Sequence, residues 1–300
     1  MSWLFFALLA PVLYASSSFI DKYMVEKQIK HYSTYVILGG FLAVPFSLLV
    51  FITQRVPPII WQNAALMVVA GVLVELALLP YVKAILIDDV SQVTPAFQII
   101  PVMVYAMSYV FLGERLSANE LAGAALVLLG AYLVSVGRKG AYLFHLRKSS
   151  GWVLLASVMW ATPSVILRYI SGQYSYSTAV AYEYVGVALG AFALFFVPAF
   201  RRGFVLDIPA IKPSAWGIII ANEVLYLGAA LVGYYAIAIA PALALASSLI
   251  STMPFFALVI GLVLSVWFPH IVKENIEKGT VFIKVVSIVF ILAGVWFMNA

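Results

Sequence analysis

The sequence predicts an all-α integral membrane protein, with ten transmembrane helices arranged as two inverted five-helix repeats. The first observation is composition: 65% of the residues are hydrophobic, 10% are charged and the mean hydropathy is +1.08. Soluble domains carry about 25% charged residues, so a chain this apolar needs lipid around it. The second is segmentation, because the apolar residues form ten runs. Runs of about 20 such residues are what a helix needs to cross a bilayer.

The ten apolar runs are expected to be helical throughout, because lipid offers no hydrogen-bond partner to an open backbone. Tryptophans stand at the ends of several runs, as interface anchors do. The predicted segments are 2–20, 33–53, 59–82, 90–112, 117–137, 150–169, 177–200, 213–236, 240–266 and 280–299.

The two halves of the chain share a residue pattern. A shift of 153 positions superposes Tyr81 on Tyr234, Thr94 on Ser247, Gln98 on Ser251 and Pro101 on Pro254. A shift of 146 positions superposes Tyr14 on Trp160. We therefore predict one repeat over 1–138, a basic linker over 139–148 and a second repeat over 149–300. Because each repeat has an odd number of helices, the two must run in opposite directions across the membrane.

The basic residues predict an orientation. Fourteen Lys and Arg residues fall on the side of the loops that follow odd-numbered segments, and Arg55, Arg115 and Arg168 fall on the other side. Positive charge accumulates in cytoplasmic loops, so this bias places both termini outside. The expected location is the cytoplasmic (inner) membrane, with multiple passes.

A family resemblance rests on residues 101–134. A helix containing Pro101 runs into the turn Leu112-Gly113-Glu114-Arg115-Leu116, and a glycine-bearing apolar helix follows. With the two five-helix repeats, this pattern resembles the EamA-type branch of the drug/metabolite transporter superfamily. The second repeat departs from it, since residues 265–270 stand where a second Gly-Glu turn would be.

The resemblance implies a solute carrier with a central cavity lined by segments 1, 3, 4, 6, 8 and 9. It implies substrates that range from amino acids to other metabolites. It also implies that both termini lie in the cytoplasm, opposite to the charge bias. The orientation therefore stays open at this stage.

A polar stripe follows one face of the fourth segment, because its members recur at steps of three and four residues. From it and its counterpart in the ninth segment we select Thr94, Gln98, Ser247 and Ser251 as candidate substrate-binding residues. The alternative is that they hydrogen-bond to neighbouring helices. Pro101 and Pro254 are predicted hinges, since both repeats carry one and proline frees backbone carbonyls.

Aromatic residues near both repeat-related helix pairs form a second candidate group. Such rings can stack on a planar or cationic solute, although packing is the alternative role. The candidates are Tyr14, Tyr81, Trp160, Tyr226 and Tyr234. We expect Arg168 to extend towards the membrane interface, as long basic side chains do.

Three carboxylates lie inside apolar runs: Glu75, Glu183 and Glu223. A charged group at the bilayer centre costs about 2.5–3.5 kcal/mol on insertion scales, so such residues usually face a cavity and serve function. They are candidate coupling residues for protons, with Glu223 first. The alternative is a carboxyl that hydrogen-bonds to an adjacent helix.

Other functional classes lack their motifs. The chain has no cysteine, its three histidines lie in different loops, and it has neither a phosphate-binding glycine loop nor a nucleophile elbow. We expect no enzyme activity, cofactor, metal site or nucleic-acid partner. The oligomeric state stays open, and a monomer is compatible with the sequence.

The predicted function is a secondary transporter that moves a small organic metabolite, such as an amino acid, by alternating access, with protons as candidate coupling ions. The alternatives are a carrier of a lipid-linked or amphiphilic solute, and a non-transporting receptor or assembly subunit.

Overall fold

A computed structural model describes residues 2–87, 96–136, 149–267 and 278–298. Within these ranges all regular structure is helical, which confirms the all-α prediction. The helices are α1 (Ser2–Lys27), α2 (Tyr32–Thr53), α3 (Trp61–Leu76), α4 (Leu78–Ile87), α5 (Ile100–Met107), α6 (Ala118–Val136), α7 (Ser150–Ser171), α8 (Tyr176–Phe195), α9 (Pro198–Asp207), α10 (Pro213–Ile239), α11 (Leu243–Ile250), α12 (Met253–Trp267) and α13 (Lys278–Phe297).

Seven helical stretches are long and apolar enough to cross a membrane, counting α3–α4 and α11–α12 as one each. Three further apolar helical stretches are shorter: Phe97–Leu112, Ala118–Val134 and Val285–Phe297. Large apolar side chains such as Phe111 and Trp296 are exposed by 70% and 65%. An apolar exterior of this kind is suited to lipid. The chain is therefore a multi-pass membrane protein.

Helices α3 and α8 pack with their backbones in contact. A Cβ added at Gly71 would lie 1.8 Å from the carbonyl oxygen of Glu183, and one at Gly186 would lie 2.0 Å from that of Val68. Small residues are what allows membrane helices to approach this closely. Gly190 extends the contact, because its missing side chain leaves room for Glu75.

Helices α6 and α13 form a second close pair, with antiparallel chains. Gly123 faces Gly294, and Gly130 faces Ser287 and Ile291. A Cβ built at either glycine of α6 would lie about 2.7 Å from the nearest atom of α13. Two further antiparallel pairs position the site described below. Helix α1 packs along α10, and α3 packs against α7.

Helix breaks coincide with prolines. Pro80 has no N–H to donate to the carbonyl of Leu76, and α3 ends at that residue. Pro101 and Pro254, the predicted hinges, both lie in the first turn of a helix, α5 and α12. Each follows a distorted segment, a 3₁₀ turn over Phe97–Ile99 in one case and a break at Ser251 and Thr252 in the other.

The predicted segment 177–200 is too long. Helix α8 ends at Phe195, and Pro198 starts the separate helix α9. Proline favours the first turn of a helix, so a new helix begins at this point.

Helix α9 is held to the start of α2 by Asp207. Its carboxylate accepts hydrogen bonds from the His31 backbone N–H at 2.8 Å and the Thr34 hydroxyl at 2.9 Å, and lies 3.0 Å from His31 Nδ1. Burial of Asp207 raises the pKa of its carboxyl, but the hydrogen bonds from His31 and Thr34 outweigh it, so the pKa lies below its usual value.

Candidate functional site

A cavity of about 240 Å³ lies between α1, α2, α3, α7, α8 and α10. Its wall carries two carboxyl groups, those of Glu75 and Glu223, and the amide of Asn222. The remaining wall combines small and aliphatic residues with six aromatic ones: Tyr14, Tyr35, Trp160, Tyr184, Tyr226 and Tyr234. Among the residues that the structure describes, no Lys, Arg or His borders this cavity.

Glu75 and Glu223 face neighbouring positions on α2. A Cβ built at Gly39 would lie 3.5 Å from Glu223 Oε1, and one at Gly40 would lie 3.0 Å from Glu75 Oε1. The Gly39-Gly40 pair thus leaves the space that both carboxyl groups use. Glu75 is only 5% exposed, and its Oε1 is buried without a hydrogen-bond partner. An unpaired buried polar atom is costly, so its presence in a residue that borders a cavity points to function.

Glu183 lies behind the wall. Its Oε1 accepts a hydrogen bond from the Tyr234 hydroxyl at 2.7 Å, while its Oε2 is buried without a partner. Tyr234 itself borders the cavity, so this bond connects the wall to the third membrane carboxylate. Glu183 is therefore hydrogen-bonded to a neighbouring helix, α10, as the alternative interpretation allowed.

Asn222 links α10 to α1 on the cavity wall. Its Oδ1 accepts from the Ser17 hydroxyl at 2.9 Å, and its Nδ2 donates to Asp21 Oδ1 at 2.5 Å. Asp21 thus adds a fourth carboxyl group near this end of the cavity.

The aromatic rings are packed against one another. Tyr14 and Tyr226 meet edge to face, with centroids 5.3 Å apart. Trp160 contacts Tyr81 at 5.7 Å and Phe97 at 5.4 Å, and its indole N–H donates to the Val74 carbonyl at 3.3 Å. Trp160 is thus held in place by α3 and α4, with part of its ring on the cavity wall.

The structure brings six predicted site residues together around the cavity: Tyr14, Glu75, Trp160, Glu223, Tyr226 and Tyr234. Two more, Tyr81 and Glu183, lie directly behind it in contact with wall residues. Thr94 lies outside the described residues.

Gln98, Ser247 and Ser251 are grouped elsewhere. Gln98 Nε2 donates to the Ser251 carbonyl at 3.4 Å, and Gln98 Oε1 is buried without a partner. Ser247 is 9% exposed in α11. The cavity draws on α2 and α8, rather than on these parts of the fourth and ninth segments that the resemblance included.

Sequence reasoning missed Tyr35, Tyr184 and the Gly39-Gly40 pair. Tyrosines are frequent in this chain, so nothing singled out these two. The adjacent glycines within an apolar run were a usable signal, because a glycine in a strand or helix interior often marks close approach of another group.

The structure gives Arg168 partners that the sequence did not predict. Its guanidinium donates to Glu114 Oε1 at 2.8 Å and to the carbonyls of Ile237, Ala238 and Pro241. Those carbonyls lie at the end of α10, and positive charge is favoured at a helix C-terminus. Glu114 Oε2 accepts from the Leu243 N–H at the start of α11, where negative charge is favoured.

The comparisons with known proteins agree with this architecture. Residues 1–136 match the EamA-like transporter family. The resemblance predicted from the sequence is thereby confirmed over these residues. The family that these residues match is a family of transporters.

A solved structure titled only as the crystal structure of a protein has the same fold. It superposes on the chain with a TM-score of 0.71 at 16% identity, covering 99% of this chain and 96% of its own. No curated protein sequence matches the chain.

Proposed function

We propose that the chain is a secondary transporter of the inner membrane that moves a small organic metabolite by alternating access, with protons as the coupling ion. Ten helices would form two inverted halves, 1–138 and 149–300, joined by the basic linker 139–148. The seven long and three shorter apolar helical stretches support this number.

One asymmetry carries the proposal. In the proposed repeats, α3 is the counterpart of α10, and α2 is the counterpart of α8. The pair α3–α8 is closed, with backbone contact at Gly71 and Gly186. The equivalent pair, α10–α2, shows no such backbone contact at Gly39: there the glycine faces the side chain of Glu223, and both residues border the cavity.

This difference is what one state of an alternating-access carrier would show. In that mechanism the two equivalent interfaces are not open at the same time, and transport would exchange the closed one for the open one. The carboxyl groups of Glu75 and Glu223 support proton coupling, because a carboxyl that borders a cavity can exchange a proton with water that enters it. Intramembrane carboxylates commonly mark such pathways.

The cavity's size favours a small solute over the lipid-linked alternative. At about 240 Å³ it lies below the ~300–1,000 Å³ of pockets for drug-sized ligands. No feature of the described residues favours a non-transporting receptor over a carrier.

Transport by purified protein in liposomes tests the proposal. A pH-sensitive dye in the lumen would report proton movement when amino acids, amines, sugars and nucleosides are added under a pH gradient. We expect one class to move protons, and Glu223→Gln to abolish that movement. The matched control is Glu120→Gln. Glu120 lies outside the cavity and accepts a hydrogen bond from the Ser117 N–H in a capping box, and a glutamine side chain can accept the same bond.

Two outcomes would count against the proposal in different ways. If no solute in the panel crosses faster than in protein-free liposomes, the transporter assignment falls. If solute crosses but Glu223→Gln leaves the pH-driven uptake at the wild-type rate, proton coupling through Glu223 falls.

A further inference from the structure

Among the described residues, no basic side chain on the cavity wall offsets its carboxyl groups. Glu75 and Glu223 both border the cavity, and Asp21 contacts the wall residue Asn222. Arg168, a largely buried basic residue, is bonded to Glu114 and three carbonyls at another site. A solute that brought a positive charge would supply the partner that these carboxyl groups lack.

One of these oxygens is already prepared for a ligand. Glu75 Oε1 is buried and unpartnered, in a residue that is 95% buried and borders the cavity. The neighbouring residue on α2 is Gly40, where a Cβ would lie 3.0 Å from this oxygen. Glycine has no side chain that could donate a hydrogen bond to it. Leaving such an acceptor unpaired costs about 1–3 kcal/mol, more for a charged group. A donor on the solute would remove that cost.

The rest of the wall suits an organic cation better than a metal ion. Six aromatic rings border the cavity, and the faces of such rings attract ammonium groups. A metal ion would need several oxygen or nitrogen ligands converging on one point. Among the described residues, no group of three His, Cys, Asp or Glu side chains does so.

We infer that the cavity binds small organic cations whose charge is an ammonium group, held between the carboxyl groups of Glu75 and Glu223 and against the tyrosine and tryptophan rings. The inference rests on the proposed transport function for its physiological meaning. It narrows the solute from any small metabolite to amines and quaternary ammonium compounds. Protons and the solute would then share the same carboxyl groups.

A shape-matched ligand series tests the charge requirement. 2-Phenylethylamine, 2-phenylethanol and 3-phenylpropionate have similar size and differ in charge at neutral pH. Their binding to the purified full chain in detergent would be measured by calorimetry and by the shift in thermal unfolding, since a ligand that binds the folded form stabilises it. We expect the amine to bind at least about tenfold more tightly than the alcohol, a difference of about 1.4 kcal/mol, and the propionate more weakly than both.

Variants test the residues. Glu75→Gln and Glu223→Gln should each weaken amine binding at least about tenfold and leave the affinity for the alcohol unchanged. Glu75→Asp and Glu223→Asp keep the charge and should retain amine binding. They separate loss of charge from loss of folding. Glu120→Gln should behave as the wild type.

The inference is overturned if the propionate or the alcohol binds as tightly as the amine, if no amine binds, or if both glutamine variants keep the wild-type affinity. Equal stabilisation by sodium chloride would also overturn it, in favour of an inorganic cation site. The test is independent of transport: amine binding without solute movement in liposomes would refute the transport proposal alone. Movement of neutral or anionic solutes without amine binding would refute this inference alone.

Discussion

The guanidinium of Arg168 lies 2.8 Å from Glu114 Oε1 and connects the two halves of the chain. Glu114 belongs to the turn after α5, and Arg168 lies in the last turn of α7. Both side chains are largely buried, at 20% and 15% exposure. Together they bridge the end of α10 and the start of α11, and α10 is one of the helices that line the cavity.

Breaking this pair should open the adjacent end of the protein. A charge-assisted pair of this kind contributes about 1.5–3 kcal/mol, so Arg168→Ala should shift the balance between closed and open states by about tenfold or more. The chain has no cysteine, so Ala230→Cys places a single thiol on the cavity wall. We expect an impermeant thiol reagent to label it faster from the Glu114 side in the Arg168→Ala background.

Arg115→Ala is the control for this experiment. Arg115 follows Glu114 in the sequence, but its guanidinium lies near the Tyr109 ring. Identical labelling rates in the presence and absence of Arg168 would show that the pair does not close this end.

The glycine contact between α3 and α8 gives a second prediction. Gly186→Ala places a Cβ 2.0 Å from the Val68 carbonyl oxygen, so the helices must separate. Overpacking of this kind costs about 1–3 kcal/mol or more. We expect a clear fall in the thermal unfolding midpoint and in the yield of monodisperse protein.

Gly217→Ala is its matched control. A Cβ at Gly217 meets nothing within 4 Å, and alanine is the better helix former by about 1 kcal/mol. Its unfolding midpoint should equal or exceed that of the wild type. If both alanine variants unfold at the same temperature, close packing at Gly186 is unimportant.

Tyr234→Phe should destabilise the protein through Glu183. It removes the hydroxyl that donates to Glu183 Oε1 and leaves both oxygens of a residue that is 1% exposed without partners. The expected cost is about 1–3 kcal/mol, measured by thermal unfolding.

Tyr235→Phe should have little effect, since the described contacts of Tyr235 are ring contacts with Phe6 and Tyr176. Glu183→Gln in the Tyr234→Phe background should recover part of the loss, because a neutral amide is cheaper to bury unpaired than a carboxylate. If Glu183→Gln recovered none of the lost stability, the effect of Tyr234→Phe would not arise from Glu183.

Asp207 gives a pH-dependent prediction. Its folded-state pKa is lowered, because hydrogen bonds from His31 and Thr34 outweigh the effect of burial. The carboxylate therefore stabilises the fold fully above its ordinary pKa of about 3.9, and that contribution is lost as the pH falls through the lower folded-state value. Asp207→Asn should lower the unfolding midpoint at pH 7, and the difference from the wild type should shrink in acid below about pH 4.

Glu120→Gln again serves as the control, with a difference from the wild type near zero at both pH values. A pH-independent effect of Asp207→Asn would show that shape, and not charge, matters at this position.

Composition and the length of the apolar runs predicted an all-helical membrane protein, because the lipid requirement acts on every residue of a span. The same reasoning selected Glu75, Glu223, Trp160 and Tyr226, which the structure places on one cavity wall. Intramembrane charge and repeat position are local features that a sequence displays.

The rest depended on which helices pack side by side. Gln98 and Ser251 were placed in the site by their stripe, but a stripe shows only that a face avoids lipid, and here that face makes a contact between helices. Arg168 could not be paired with Glu114 from the sequence, because 54 residues separate them. The roles of Gly39 and Gly40 likewise appear only when α2 meets the two carboxyl groups.

The hydrogen bond between Gln98 and Ser251 joins two positions that the repeat shift makes equivalent. In the proposed arrangement, a residue that touches its own counterpart lies on the local twofold axis between the halves. Had the halves been separate identical chains, any substitution there would have entered both sides at once. Fusion into one chain removes that restriction. One side can then keep a long amide while the other offers a main-chain oxygen, so the two halves of the proposed transporter can evolve unequal contacts where they meet.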